Sequence, residues 1–168
     1  MPDAAPALLR IASRADAGAA PSDRVRLTYE ERMRTRLLTR LDSGLEATID
    51  LARGSVLKPG DCLLASDGRI VEVCPALEAL LHVAVADPLT LARAAYHLGN
   101  RHVAVELRSE ALRVGDDGVL ERLLRGLGLE PVRIEAPFAP EGGAYGHSHT
   151  HLGDTNRLAP VIHEYRRS

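Results

Sequence analysis

Aromatic residues are scarce in this chain: they make up 3% of its 168 residues, with no tryptophan and a single phenylalanine, Phe138. Proteins that bind single-stranded nucleic acid stack bases on aromatic rings, and only four tyrosines are present for that purpose. Positive charge is not in excess either, because 23 acidic residues offset 21 basic ones and leave a formal net charge of −2. Both deficits argue against nucleic acid as a partner.

Cysteine and long apolar runs are also in short supply. Cys62 and Cys74 stand neither in a CxxC pair nor beside a histidine, so no disulfide framework or zinc knuckle is indicated, and we expect two small buried hydrophobes. No segment approaches the roughly 20 apolar residues that cross a bilayer, and the N-terminus lacks the order of a signal peptide. We therefore expect a cytoplasmic protein with no membrane partner.

Catalytic motifs are a third absence. The chain has no HExxH, GxSxG or P-loop pattern, and no cysteine and histidine placed for nucleophilic attack. A hydrolytic metal site would also need a cleft, an open coordination position and a placed general base. We expect a protein that is not an enzyme.

Apolar residues, by contrast, are plentiful at 45%, enough for one ordinary domain or two small ones. Residues 1–22 are rich in Ala, Pro and Gly, and we expect them to be poorly ordered or to add one edge strand. Between residues 23 and 75, apolar stretches flank turn residues at 42–44 and 67–68. This pattern predicts a small all-β domain over 23–75.

Residues 76–140 alternate between strand and helix patterns. Asp87 and Pro88 mark a helix start, and Gly99 and Asn100 mark its end. The predicted elements are a strand over 79–86, a helix over 88–100, strands over 102–108 and 111–114, a helix over 116–128 and a strand over 130–136. The order β-α-β-β-α-β predicts a ferredoxin-like domain with both helices on one face of an antiparallel sheet, so the expected fold class is α+β.

The C-terminal segment 141–168 has nothing that could form a core, and we expect a flexible tail. His147, His149 and His151 stand at alternate positions there, and in an extended chain such rings share a face. Two or three imidazoles around one cation would suit nickel, copper or zinc. A solvated tail is the alternative; an expression tag is disfavoured because the sequence continues without repetition.

Two further histidines lie in the stretch YHLGNRHVAVEL, residues 96–107. His97 falls in the last turn of the predicted helix, where positive charge is favourable against the helix dipole and a structural role is the simpler interpretation. His102 follows the turn at Gly99 and Asn100 on an exposed corner. A lone exposed histidine is more often without a function than a metal ligand. The residues alone therefore leave open whether His102 binds a metal or has no role.

The same stretch, together with PFAPEGGAYGHSHTH at 137–151, resembles the signature of the urease accessory protein UreE family, which are nickel metallochaperones. The resemblance covers roughly residues 23–151. It implies a homodimer in which a peptide-binding-like β domain precedes a ferredoxin-like metal-binding and dimerisation domain. It also implies, as partners, the urease accessory GTPase UreG and the urease apoprotein activation complex.

The resemblance further implies that His102 meets its own copy across the dimer interface and that Ni²⁺ lies between the two. The tail would complete the ligand set from His147, His149, His151 or His163, with His97 a secondary candidate. Several family members carry a His-x-His pair where this chain has Asp116 and Gly118, so a second internal site is not expected. Imidazole donors do not separate Ni²⁺ from Zn²⁺ or Cu²⁺, and a general divalent-metal buffer remains the alternative function.

Overall fold

Two β-sheets, each with its own hydrophobic core, make up the part of the chain that the computed structural model describes, residues 8–142. The strands are β1 (Leu9–Arg14), β2 (Asp23–Leu27), β3 (Arg36–Arg40), β4 (Glu46–Asp50), β5 (Cys62–Ala65), β6 (Ile70–Pro75), β7 (Leu77–Ala84), β8 (Glu106–Arg108), β9 (Ala111–Gly115) and β10 (Val132–Pro137). The helices are α1 (Tyr29–Arg32), α2 (Pro88–Gly99) and α3 (Gly118–Gly126). The predicted mixed α+β class is confirmed.

The first sheet contains six strands in the order β2-β6-β5-β1-β4-β3. Alternate residues point into its core, as in β4, where Ala47 and Ile49 are fully buried and their neighbours are not. A bridge between Val25 and Leu41 brings the two edge strands together. The sheet therefore partly closes on itself around its apolar face.

Strand β1 lies in the interior of this sheet, and the prediction of a poorly ordered segment or an edge strand was wrong for residues 9–14. It pairs in parallel with β4 and antiparallel with β5. Its Leu9 and Ile11 are buried in the core, and this apolar contribution favours an interior position. Residues 1–7 lie outside the described part of the chain.

Helix α1 was not predicted, because residues 23–75 were expected to form strands only. Thr28 and Glu31 form a reciprocal capping box: Thr28 Oγ1 accepts from the Glu31 N–H at 3.2 Å, and the Glu31 carboxylate accepts from the Thr28 N–H at 2.9 Å. The spacing T-x-x-E at 28–31 is the sequence signal for such a start.

The second sheet has the strand order β10-β7-β9-β8, and every neighbouring pair is antiparallel. Both α2 and α3 pack on one face, where Ala94, Leu98 and Leu124 join the buried residues of β7 and β9 in a single cluster. The predicted strand over 102–108 is shorter than expected and begins at Glu106. None of the helices found in residues 8–142 is long and apolar enough to span a bilayer.

Candidate metal site at the end of helix α2

Helix α2 begins where the sequence predicts. The Asp87 carboxylate is its N-cap and accepts from the Thr90 N–H at 2.8 Å and from Thr90 Oγ1 at 2.5 Å. These hydrogen bonds from Thr90 lower the pKa of Asp87. Pro88 takes the first helical position, where its missing N–H has no consequence. The helix is thus fixed at its N-terminus, and Ala94 and Leu98 hold its inner face on the sheet.

The C-terminal end of α2 closes with two hydrogen bonds that place His102 in a left-handed conformation. The His102 N–H donates to the Gly99 carbonyl at 2.9 Å, and the Val103 N–H donates to the Leu98 carbonyl at 3.3 Å. This is the Schellman pattern, which puts His102 at the position that glycine usually takes. The φ of His102 is 56°, and no other non-glycine residue in the described chain has a positive φ.

A left-handed backbone costs an L-residue roughly 1 kcal/mol or more, although histidine tolerates it better than most residues do. Gly99, which the sequence offers as the natural left-handed residue, lies inside the helix instead. His102 thus combines a strained backbone with an exposed imidazole. Strain of this kind often occurs at functional sites, so we infer a functional role for the side chain.

The surroundings of His102 are open. The side chain is exposed, and its neighbour Arg101 folds back along α2 to donate to the His97 carbonyl at 3.2 Å. Across residues 8–142, no three His, Cys, Asp or Glu side chains converge closely enough to hold a metal ion. The described part of a single chain therefore presents His102 without a complete ligand set.

The remaining predicted ligands fall into two groups. His97 is half-buried in the last turn of α2, five residues before His102, and its ring packs edge-on against Tyr96 with centroids 5.5 Å apart. His147, His149, His151 and His163 lie outside the described residues.

The acidic residues at the start of helix α3 have structural partners. Asp117 caps α3 by accepting from the N–H groups of Val119 at 2.7 Å and Leu120 at 3.0 Å. Asp116 accepts from Arg133 Nε at 3.1 Å. Arg133 also pairs with Glu121, and its hydrogen bond lowers the pKa of that carboxyl. Through Arg133, Asp116 and Glu121 join the start of α3 to β10.

The two cysteines were expected to be buried, and that prediction was wrong. Cys62 and Cys74 are free thiols and only half-buried, because both belong to the alternate positions of β5 and β6 that face away from the core. Partial burial raises the pKa of Cys74, which disfavours its thiolate.

A buried junction joins the two sheets, and no local pattern in the sequence indicates it. Arg32 is only 4% exposed; it donates to the Phe138 carbonyl and its guanidinium lies over the Tyr29 ring at 5.7 Å from the centroid. Tyr29 packs edge-on against Phe138, and its N–H donates to the Glu78 carboxylate at 2.8 Å. Burial lowers the pKa of Arg32, and the charge of Glu78 offsets part of that effect.

Fold and site together define a two-sheet α+β protein whose distinctive surface feature is a strained histidine presented at a helix end. The chain belongs to the urease accessory protein UreE family. The model of the family's N-terminal domain matches residues 7–76, and that of its C-terminal domain matches residues 78–165. The resemblance seen in the sequence is thereby confirmed.

Individual relatives agree with the family models. The chain is 52% identical over 128 residues to the urease accessory protein UreE of Cupriavidus necator, covering 76% of this chain and 67% of that protein. It is 48% identical over 143 residues to the UreE protein of Pseudomonas fluorescens, covering 83% and 86% of the two chains. The match to the Burkholderia orbicola UreE protein, also 48% identical, spans 76% of this chain but only 63% of that protein, less than two thirds of its length.

Membership of this family gives the chain a role in urease maturation. It is an accessory protein and not an enzyme.

Proposed function

We propose that this protein is a nickel metallochaperone that binds Ni²⁺ between the His102 residues of two chains and delivers it for assembly of the urease metallocentre. The observation that carries the proposal is the left-handed backbone of His102 at the exposed end of α2. A two-fold axis close to this residue brings each imidazole next to its copy, so one sequence position supplies two ligands.

Two imidazoles leave coordination positions of the ion open. The C-terminal segment supplies the rest from His147, His149, His151 or His163, and His97 is the secondary candidate because it lies at the same end of α2. Ligands on a tether close over an ion and leave again, as a carrier requires. Zn²⁺ and Cu²⁺ also bind imidazole, and the choice of nickel rests on the family.

The homodimer interface is assigned to the outer face of α2. Leu89 is 71% exposed and Tyr96 is 66% exposed, and with Ala92 they follow the i, i+3, i+7 spacing of one helix face. Large apolar side chains grouped on an exposed helix mark an interaction surface. Tyr96 lies in the last turn of α2, six residues before His102.

The domain assignment follows the same division. We propose a ferredoxin-like metal-binding and dimerisation domain over 76–140; the order of its elements and its wholly antiparallel sheet support this. We propose a peptide-binding-like β domain over 23–75, extended to include β1. The tail predicted over 141–168 lies, from residue 143 onward, outside the described residues. Leu38 and Leu64, 65% and 40% exposed on the outer face of the first sheet, support a docking role for the β domain.

The partners proposed are the GTPase UreG and the urease apoprotein activation complex, in the cytoplasm. A general divalent-metal buffer is the competing function, and it differs in one testable respect. A buffer binds metal regardless of partners, whereas a carrier shows nickel-dependent affinity for the complex that receives the ion.

The deciding experiment is calorimetric titration of the dimer with Ni²⁺, followed by pull-down of UreG with and without the metal. We expect His102→Ala to lose the tight nickel site and the nickel dependence of the pull-down. The matched control is His82→Ala, which removes a half-buried histidine of β7 whose Nδ1 accepts from Arg113 Nε at 3.4 Å. Unchanged nickel affinity and pull-down in His102→Ala would overturn the proposed function.

A further inference from the structure

Three neighbouring strands of the first sheet carry a group of charged and apolar side chains on the face opposite the core. β4 lies between β3 and β1, and its Thr48 is opposite Leu38 on one side and Arg10 on the other. Side chains at alternate positions of a strand share a face. The residues of this group, which we call the arginine face, are Arg10, Arg36, Leu38, Arg40, Glu46, Thr48 and Asp50. The arginine face is one continuous surface about 10 Å wide across the strands.

Arginines outnumber carboxylates on the arginine face by three to two. Asp50 is shared by two guanidinium groups, because Arg36 Nε donates to it at 3.2 Å and Arg10 Nη2 donates at 3.5 Å. Arg40 Nη2 donates to Glu46 at 3.1 Å. The side chains of Arg36 and Arg10 are 78% and 67% exposed, whereas that of Asp50 is 28% exposed. The carboxylate therefore lies deeper, and the outermost layer of this surface is positively charged.

The exposed ion pairs around α3 have the opposite balance. Arg125 lies between two carboxylates, Glu121 at 3.3 Å and Glu130 at 2.9 Å. Arg133 pairs with Glu121 and with Asp116, so three carboxylates surround two guanidinium groups there. The excess of positive charge on the arginine face is not shared by the surface around α3, and the chain as a whole has a formal charge of −2.

An apolar side chain lies among these charges. Leu38 is 65% exposed, and Arg36 and Arg40 stand two residues away on either side of it along β3. Arginine is enriched where proteins meet, and an apolar contact enclosed by groups that exclude water is typical of protein interfaces. The arginine face contains no aromatic ring on which a nucleic-acid base could stack, and its two carboxylates repel phosphate groups. These features favour a protein partner over nucleic acid.

We propose that the arginine face binds an acidic segment of a protein partner, whose carboxylates pair with the guanidinium groups and whose apolar side chain contacts Leu38. This inference deepens the docking role proposed above for the first sheet, and rests on it. A guanidinium has five N–H donors, so the bonds of Arg10 and Arg36 to Asp50 leave donors for the partner. Because Asp50 already restrains both side chains, less side-chain entropy is lost when the partner binds.

The test is binding of the full chain to the purified urease apoprotein activation complex, measured by biolayer interferometry at several salt concentrations. We expect the double variant Arg10→Gln/Arg36→Gln to bind about tenfold more weakly and with a smaller dependence on salt. Arg125→Gln is the matched control, since it removes an exposed, ion-paired arginine of α3 and should bind as the unaltered chain does. Leu38→Ser should weaken binding about fivefold without changing the salt dependence.

The double variant should keep its thermal midpoint and bind Ni²⁺ as the unaltered chain does, because His102 is unchanged. Unaltered affinity of the double variant for the complex, or an equal loss in Arg125→Gln, would overturn the role of the arginine face. Binding of a DNA duplex as tightly as the complex would also overturn it, because the face would then recognise any polyanion. Failure of the proposed function gives a different result, since His102→Ala would then bind Ni²⁺ as tightly as the unaltered chain.

Discussion

The imidazole of His102 is presented by a backbone conformation that few L-residues adopt, with φ at 56°. The sequence motif identifies this residue but not its conformation. Gly99 and Asn100 predict where α2 ends, and the helix does end there. The left-handed turn comes at His102, where the hydrogen bonds to the Gly99 and Leu98 carbonyls close. Leu98 and Val103, on either side of the turn, both pack in the second core, and the sequence does not indicate this tertiary packing.

His102→Gly tests this geometry. Glycine has no Cβ penalty in the left-handed region, so we expect the free energy of unfolding to stay constant or to rise by up to about 1 kcal/mol, while nickel binding is lost. His97→Gly is the matched variant inside α2, where we expect a loss of about 0.5–1 kcal/mol. Urea unfolding monitored by circular dichroism measures both. An equal loss of stability in the two variants would contradict the helix-end geometry.

At the scale of helices and strands, the sequence predicted an element correctly where the residues that determine it are close together along the chain. Asp87 and Pro88 predict the start of α2 because capping and a fixed φ act within one turn. The interior position of β1 could not be predicted in this way, since it depends on pairing with β4 and β5, which lie more than 30 residues away along the chain. The strand predicted over 102–108 was too long, because its first residues, His102 and Val103, form the turn that ends α2. The apolar pattern over 102–108 does not indicate this turn.

The exposed face of α2 carries the prediction at this scale. Tyr96→Arg places a charge in the proposed dimer interface, and we expect the dimer dissociation constant to rise at least about tenfold, equivalent to about 1.4 kcal/mol. Val132→Arg is the matched control, since Val132 is 58% exposed on β10 and lies outside this face. Analytical ultracentrifugation separates the outcomes. If the dimers of both variants are equally stable, the dimer interface does not lie on this face of α2.

At the scale of the whole molecule, the division into two sheets was predictable and their junction was not. Hairpin and helix patterns change near residue 76, and the two sheets divide there. The hydrogen bond from Arg32 to Phe138 joins residues 106 positions apart, and no local pattern in the sequence indicates it. The junction borders a groove of about 520 Å³ that Arg101 and Val103 also line, so it lies close to His102.

Truncation after Gly146 separates the fold from the tail. Residues 8–142 contain both hydrophobic cores, and we therefore expect the shortened chain to fold and dimerise as the full chain does. Nickel affinity should fall to that of the residual His102 pair, because the imidazoles of the tail are gone. Calorimetry and ultracentrifugation on the same sample check both statements. A truncated chain that fails to fold would show that the tail contributes to the core.

The left-handed backbone at His102 also matters for anyone who engineers this protein. At that position the thermodynamically preferred residue is glycine, and the residue present is the less favourable one. A screen that rewards heat resistance alone would therefore drift towards sequences that lack the imidazole. Libraries aimed at a hardier version should keep this codon constant and vary the surface elsewhere.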